Sequence, residues 1–221
     1  MLQKLHRSEI ETGGFNGIKQ KRLIVHRQYG PGMGVRQGTW TGIGNLVYLA
    51  DSWFGPGVAT GLHPHRGIDV LTYVAEGTLG HEGSLEQGTT LHAGDFQVQR
   101  AGKEGFVHNE VNTTSGTTRM LQFWMLPEKV EPKANFYVRK VLSNSSVEIY
   151  GEEQGSRTQV YLVSLSEGSS WQVPLDSWIY LVSGRVNFNS VLLEEGTLFE
   201  ISASKFIHAD MLSTLVIMTV A

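Results

Sequence analysis

Short apolar runs separated by glycine-containing turns set the rhythm of this chain. Residues 70–74, 96–99, 120–125, 160–165, 178–182 and 215–220 are rich in β-branched and aromatic side chains and stop too soon to favour helices. Between such runs lie Glu76-Gly77, Ala93-Gly94-Asp95, Ser115-Gly116 and Ser183-Gly184, residue types that tight turns select. The pattern predicts an all-β chain, and periodicity by itself leaves sandwich and barrel open.

An internal echo narrows the choice. Tyr73-Val74-Ala75-Glu76-Gly77 reappears as Tyr180-Leu181-Val182-Ser183-Gly184, and Leu91-His92-Ala93-Gly94-Asp95-Phe96 as Leu193-Glu194-Glu195-Gly196-Thr197-Leu198. The second echo is displaced by slightly less than the first, so the later copy has a shorter intervening hairpin. Two similar β-units in tandem follow, expected at residues 1–133 and 134–221. Their joint is placed between residues 127 and 140, where Pro127, Glu128, Lys129, Glu131, Pro132 and Lys133 form a polar, proline-containing connection.

Composition removes several kinds of chemistry. The 221 residues, 40% hydrophobic, suffice for a real core, and a formal charge of −3 from 18 basic and 21 acidic residues gives no footprint for direct nucleic-acid or membrane binding. Cysteine is absent. That excludes disulfides, metal–thiolate sites and cysteine nucleophiles, and any metal must be held by nitrogen and oxygen. The first residues lack the basic-then-apolar pattern of a secretory signal and no run is long enough to span a bilayer, so a cytoplasmic location is expected.

In the first unit His63-Pro64-His65 sets two imidazoles on one face of an extended strand, with Pro64 suiting an edge or a barrel mouth. His108-Asn109-Glu110 repeats the spacing with a histidine and a carboxylate. Either pair alone would more often be a surface turn or a solvated strand end. Together, with glycine turns and room for hairpins between them, His63, His65, His108 and Glu110 are expected to converge on one divalent metal ion with positions left for water or substrate. Fe(II) is the expected ion by likeness to two-histidine, one-carboxylate sites, and Mn, Co, Ni, Cu and Zn fit the ligand types too.

The remaining side chains carry weaker signals. His6, His26, His81 and His92 have no partner at ligand spacing and are read as surface or hydrogen-bonded histidines. Lys103 and Glu104 are read as solvated loop charges. Phe106, Phe123, Trp124 and Met125 could line a cavity, with core packing as the default and alternation allowing only some to face inward.

The run from His63 through Arg66-Gly67-Ile68-Asp69-Val70-Leu71-Thr72 to Tyr73, with Gly94-Asp95-Phe96-Gln97-Val98 and Ala101-Gly102 through Gly105 to His108-Asn109-Glu110, resembles the pirin family, most strongly over residues 63–127. The resemblance implies two tandem cupin barrels, that is, double-stranded β-helices or jelly rolls. It implies one metal, usually taken as iron, held by His63, His65, His108 and Glu110 in the first cupin and none in the second. It also implies either an oxidoreductase of quercetin 2,3-dioxygenase type or a nuclear cofactor of transcription. The chain departs from the pattern before His63, where a glycine-rich stretch over residues 13–44 replaces the aromatic-rich opening of pirins; this bears on the pocket lid and on substrate preference.

Carried along the echo, His63 and His65 fall on Ser170 and Gln172, and His108 and Glu110 on His208 and Asp210. Half a site would survive there, too few ligands for tight binding, and these residues are read as structural or vestigial. The expected function is a dioxygenase acting on a flavonol or a related enol or phenol, a small aromatic substrate, with Glu110 both ligand and general base and no organic cofactor. The alternative is a non-catalytic, redox-sensing regulator that binds a protein partner, since fold and metal alone do not establish turnover.

Overall fold

The computed structural model describes residues 2–31, 37–86, 88–203 and 205–221. In chain order the strands are β1 (Lys4–His6), β2 (Gly13–Phe15), β3 (Ile18–Val25), β4 (Leu46–Phe54), β5 (His63–His65), β6 (Asp69–Glu76), β7 (Thr78–Gly83), β8 (Thr89–His92), β9 (Phe96–Arg100), β10 (Phe106–Val111), β11 (Thr118–Met125) and β12 (Asn135–Arg139). There follow β13 (Ser145–Tyr150), β14 (Thr158–Leu165), β15 (Ser170–Val173), β16 (Ser177–Ser183), β17 (Arg185–Phe188), β18 (Val191–Glu194), β19 (Thr197–Ile201), β20 (Lys205–Ala209) and β21 (Ser213–Val220). All six apolar runs read from the sequence lie inside strands, and the helical elements among the described residues are two 3-10 turns. No helix among them is long and apolar enough to cross a membrane.

Two compact units form, one from Ile10–Arg139 and one from Met1–Glu9 with Lys140–Ala221. In the first, a seven-stranded sheet ordered β12-β9-β6-β11-β4-β3-β2 accompanies a four-stranded sheet ordered β5-β10-β7-β8. In the second the orders are β1-β19-β16-β21-β14-β13 and β15-β20-β17-β18. The correspondence is strand for strand, with β2 the one addition, which gives the sequence echo its structural meaning: two jelly-roll barrels of the same topology.

The boundary at 133/134 needs correction. Asn135–Arg139 pairs with Phe96–Arg100 and belongs to the first barrel, while Lys4–His6 pairs with Thr197–Phe199 and belongs to the second. Each of these strands covers a sheet edge that would otherwise expose unpaired N–H and C=O groups, a long-range gain that local composition does not show.

The second barrel is filled by apolar side chains, among them Val163, Val173, Ile179, Phe199, Ile207 and Ile217. The first has an apolar floor of Ile18, Phe54, Val74, Leu79, Leu91 and Met120. Above it a band of polar side chains, including Thr72, Gln97, Gln99, His108, Glu110 and Gln122, is buried.

Candidate metal centre

Strands β5 and β10 pair so that His63 lies opposite His108 and His65 opposite Phe106. Two glycines permit this approach. Gly105 has φ +77°, and a Cβ there would stand 2.6 Å from the His65 carbonyl oxygen; Gly83, opposite His108 on the other side of β10, would drive a Cβ into the Val107 carbonyl. In β10 the odd-numbered residues are half-buried, while Phe106, His108 and Glu110 point into the barrel.

The three histidines thereby converge. Each offers one ring nitrogen to a group whose members all lie within 4.8 Å of one another. His63 Nδ1 donates to the Gly61 carbonyl at 2.7 Å, which leaves the Nε2 lone pair free, and that Nε2 stands 3.1 Å from His108 Nε2. Two nitrogens bound about 2.1 Å from one ion at right angles are separated by about 3 Å. His65 Nε2 is buried without a hydrogen-bond partner. An imidazole nitrogen so placed is costly unless a ligand or an ordered group completes it. Burial, then the neighbouring His63, lowers the His65 pKa to about 4, and burial with the other histidines takes His108 well below its usual value. Both are therefore neutral, the form that binds metals. The donor set fits one divalent ion.

Glu110 projects from the same face as His108 and is fully buried, but its carboxylate is not among the grouped ligand atoms. Oε1 accepts from Thr72 Oγ1 at 2.8 Å and Gln97 Nε2 at 3.1 Å, and Oε2 accepts from Gln122 Nε2 at 2.8 Å. Burial pushes the carboxyl up to about 7, against the pull of the Thr72 and Gln122 donors. A carboxylate held this way can gain or lose a proton near neutrality.

Sequence reasoning missed these donors. Thr72 sits in an apolar run, and in Phe96-Gln97-Val98-Gln99 the alternation suggests that the glutamines face water, whereas they face the barrel interior. Their i, i+2 spacing, the same as that of the two ligand pairs, was the available signal. His81, expected to be a surface or hydrogen-bonded histidine, is wholly buried, with its ring 5.8 Å from that of His108 and its Nε2 2.9 Å from the Gln99 amide nitrogen.

His63 and His65 open onto a cavity of about 550 Å³ whose wall includes Arg22, Tyr48, Phe54, Met120, Gln122 and Trp124. Of the four aromatic and methionine candidates, Trp124 lines this cavity, and Phe106 packs edge-on to His108 at 5.3 Å. Phe123 and Met125 are buried away from it. Glu104 accepts from the Ala134 N–H at 3.0 Å. Gly14, Phe15 and Pro31, from the glycine-rich stretch, form part of the cavity wall, while its residues 32–36 lie outside the described residues.

In the second barrel Ser170 lies opposite His208, the same register as His63 and His108. The faces are reversed: Ile207 and Ala209 are buried, while Ser170, Gln172, His208 and Asp210 are exposed. His208 Nδ1 bonds Ser170 Oγ at 2.7 Å, and Asp210 lies 3.8 Å from Arg185. The half-site inferred from the echo is therefore no remnant of a centre, because a one-residue change of phase turns the whole set outward.

The family model for pirin matches residues 28–125. A protein of Pseudomonas aeruginosa named "putative quercetin 2,3-dioxygenase" is 34% identical over 140 residues, 54% of this chain and 58% of its own length. One of the same name from Pasteurella multocida is 29% identical over 135 residues, 53% of this chain and 56% of its own. The chain thus matches little more than half the length of these two relatives. Among solved structures, the bacterial pirin YhhW of Escherichia coli in complex with nickel(II) superposes with a TM-score of 0.81 at 24% identity, covering 99% of this chain and 98% of that one. A quercetin 2,3-dioxygenase of Acinetobacter baumannii does so with 0.72 at 18% identity, covering 99% and 85%. These likenesses establish the tandem cupin fold.

Proposed function

We propose that this pirin-like bicupin is a metal-dependent oxidoreductase of the dioxygenase type, acting on a flavonol such as quercetin or on a related enol or phenol. One observation carries the reading: three imidazoles gathered on one group of facing nitrogens, with a buried carboxylate projecting from the same strand face as His108 and a cavity with aromatic walls at His63 and His65. Fe(II) is the ion we assign, held by His63, His65 and His108 with Glu110 as the fourth candidate ligand. Such an ion would supply a Lewis acid for the substrate oxygen and redox chemistry toward dioxygen.

The chain's own residues do the rest. Glu110, poised near neutrality, takes the proton of the substrate hydroxyl, and Thr72, Gln97 and Gln122 hold the carboxylate in place for it. Gln122 also accepts from Trp124 Nε1 at 3.2 Å, which links the aromatic wall to the base. Trp124 in turn stands 4.8 Å from Tyr48 and 5.5 Å from His65, tilted to both, an aromatic wall against which a substrate ring can pack.

The test is oxygen uptake by iron-loaded protein offered quercetin and simple catechols. Turnover is expected, with Glu110→Gln slower by about 10²–10⁴-fold. No uptake with any flavonol or catechol would sink the proposal.

A further inference from the structure

Among the described residues three arginines are buried in the first barrel, and two of them have a carboxylate of their own. Arg119 grips Asp51 through two bonds of 2.9 and 2.8 Å, and Arg100 reaches Asp69 at 3.3 Å. Arg22 does not. It is 5% exposed, lines the same cavity as His63 and His65, and its Nε and Nη2 both donate to one neutral oxygen, Gln20 Oε1, at 3.3 and 3.1 Å. Gln20 is held in turn by Ser52, to whose Oγ its amide donates at 3.2 Å. The other neighbour is the Tyr48 phenol, which burial pushes up to about 12, so it stays neutral and supplies no counter-charge. A buried guanidinium without an anion is strongly unfavourable, and its planar array of five N–H donors suits a carboxylate.

We infer that Arg22 is the anion-binding end of the substrate pocket, and that the substrate is a conjugated acid with an enol or phenol oxygen at one end and a carboxylate at the other. The geometry favours a molecule that spans the two. From Arg22 the wall runs through Tyr48 and Trp124 to His65, successive rings lying 4.8 and 5.5 Å apart and tilted by 42° and 77°, so a conjugated body packed along it has its ends at the guanidinium and at the histidines. This inference rests on the reading of the three histidines as a metal centre and specifies the substrate class for that site.

The test uses full-length protein loaded with nickel(II), with caffeate (3,4-dihydroxycinnamate) and its neutral methyl ester as probes and calorimetry as the readout. The acid is expected to bind at least about tenfold more tightly than the ester, the usual advantage of a charge-assisted contact. Arg22→Gln should bring the two probes level, and Arg22→Lys should keep part of the preference. Arg22→Met, which removes the isolated charge, should abolish the preference while raising the melting temperature of the ligand-free protein. Equal binding of acid and ester by the parent protein, failure of both to bind, or a preference that survives Arg22→Gln would each overturn the proposal. Because nickel-loaded protein is read by binding alone, the two ideas separate. Acid preference without oxygen uptake by the iron form keeps the anion site and removes the oxygenase; uptake with quercetin but no acid preference does the reverse.

Discussion

At one level of the first barrel, Thr72, Gln97 and Gln122 are direct register neighbours across β9, β6 and β11, and all three donate to Glu110. At the same level of the second barrel the register neighbours across β19, β16 and β21 are Phe199, Ile179 and Ile217. A buried aliphatic or aromatic side chain contributes about 1.5–3 kcal/mol of burial free energy, and a satisfied internal hydrogen bond nets only about 0.5–1.5 kcal/mol. One topology thus supports either a dry core or a wet site. Lining that level with polar side chains forgoes burial free energy that the apolar side chains of the second barrel supply.

The sharpest way to break the comparison is to remove a ligand. His63→Ala or His108→Ala should take bound metal from about one ion per chain to near none, measured by elemental analysis of protein purified without chelators, whereas His208→Ala should leave it unchanged. Equal loss from all three would mean that the second barrel also holds metal.

The next effect concerns the buried acid in metal-free protein. In the fold Glu110 titrates at about 7, above its unfolded value of 4.5, so the native state binds the extra proton between those values. Its contribution to stability is present at low pH and is lost as pH rises through that window, on the order of 3 kcal/mol in total. Urea midpoints should therefore fall for the parent relative to Glu110→Gln from pH 4.5 to 7 and run parallel above. A difference that does not change with pH would remove the poised carboxyl. His65 works in the opposite sense: with a folded value of about 4 against 6.5, its stabilisation is full above 6.5 and is lost as pH falls toward 4.

Exchange between the barrels gives smaller effects. Gln122→Ile, which imports the residue found at the matching position, should weaken metal binding about 10–100-fold in chelator competition, since groups behind the ligands orient them. The reverse change, Ile217→Gln, buries an amide with no built partner and should cost about 1–3 kcal/mol with no gain of metal. Smallest of all, Ser170→Ala removes an exposed bond to His208 and should shift stability by less than about 1 kcal/mol.

Much of this was legible in the amino-acid order. Turn chemistry and the echo of Tyr73 to Gly77 in Tyr180 to Gly184 disclose two like β-units, and His63, His65 and His108 announce themselves by spacing. What stayed hidden depends on which way a strand faces and on what pairs with it from afar. Every residue of β9 is buried, so the rule that alternating polar residues face water assigns Gln97 and Gln99 to the wrong side. The echo aligns His208 with His108 correctly in register, but alignment carries no information on phase. Arg22 reads as one more charge in a basic stretch until the fold turns it inward and leaves it without an acid.

The two edge strands have a further consequence for how the chain can be taken apart. Because β1 completes the second barrel and β12 completes the first, no single cut separates the pair: the later barrel is discontinuous, and the earlier one is threaded into it as an insert running from Ile10 to Arg139. A fragment meant to represent the second barrel should therefore be built by excising that insert and rejoining Glu9 to Lys140, and not by trimming from one end.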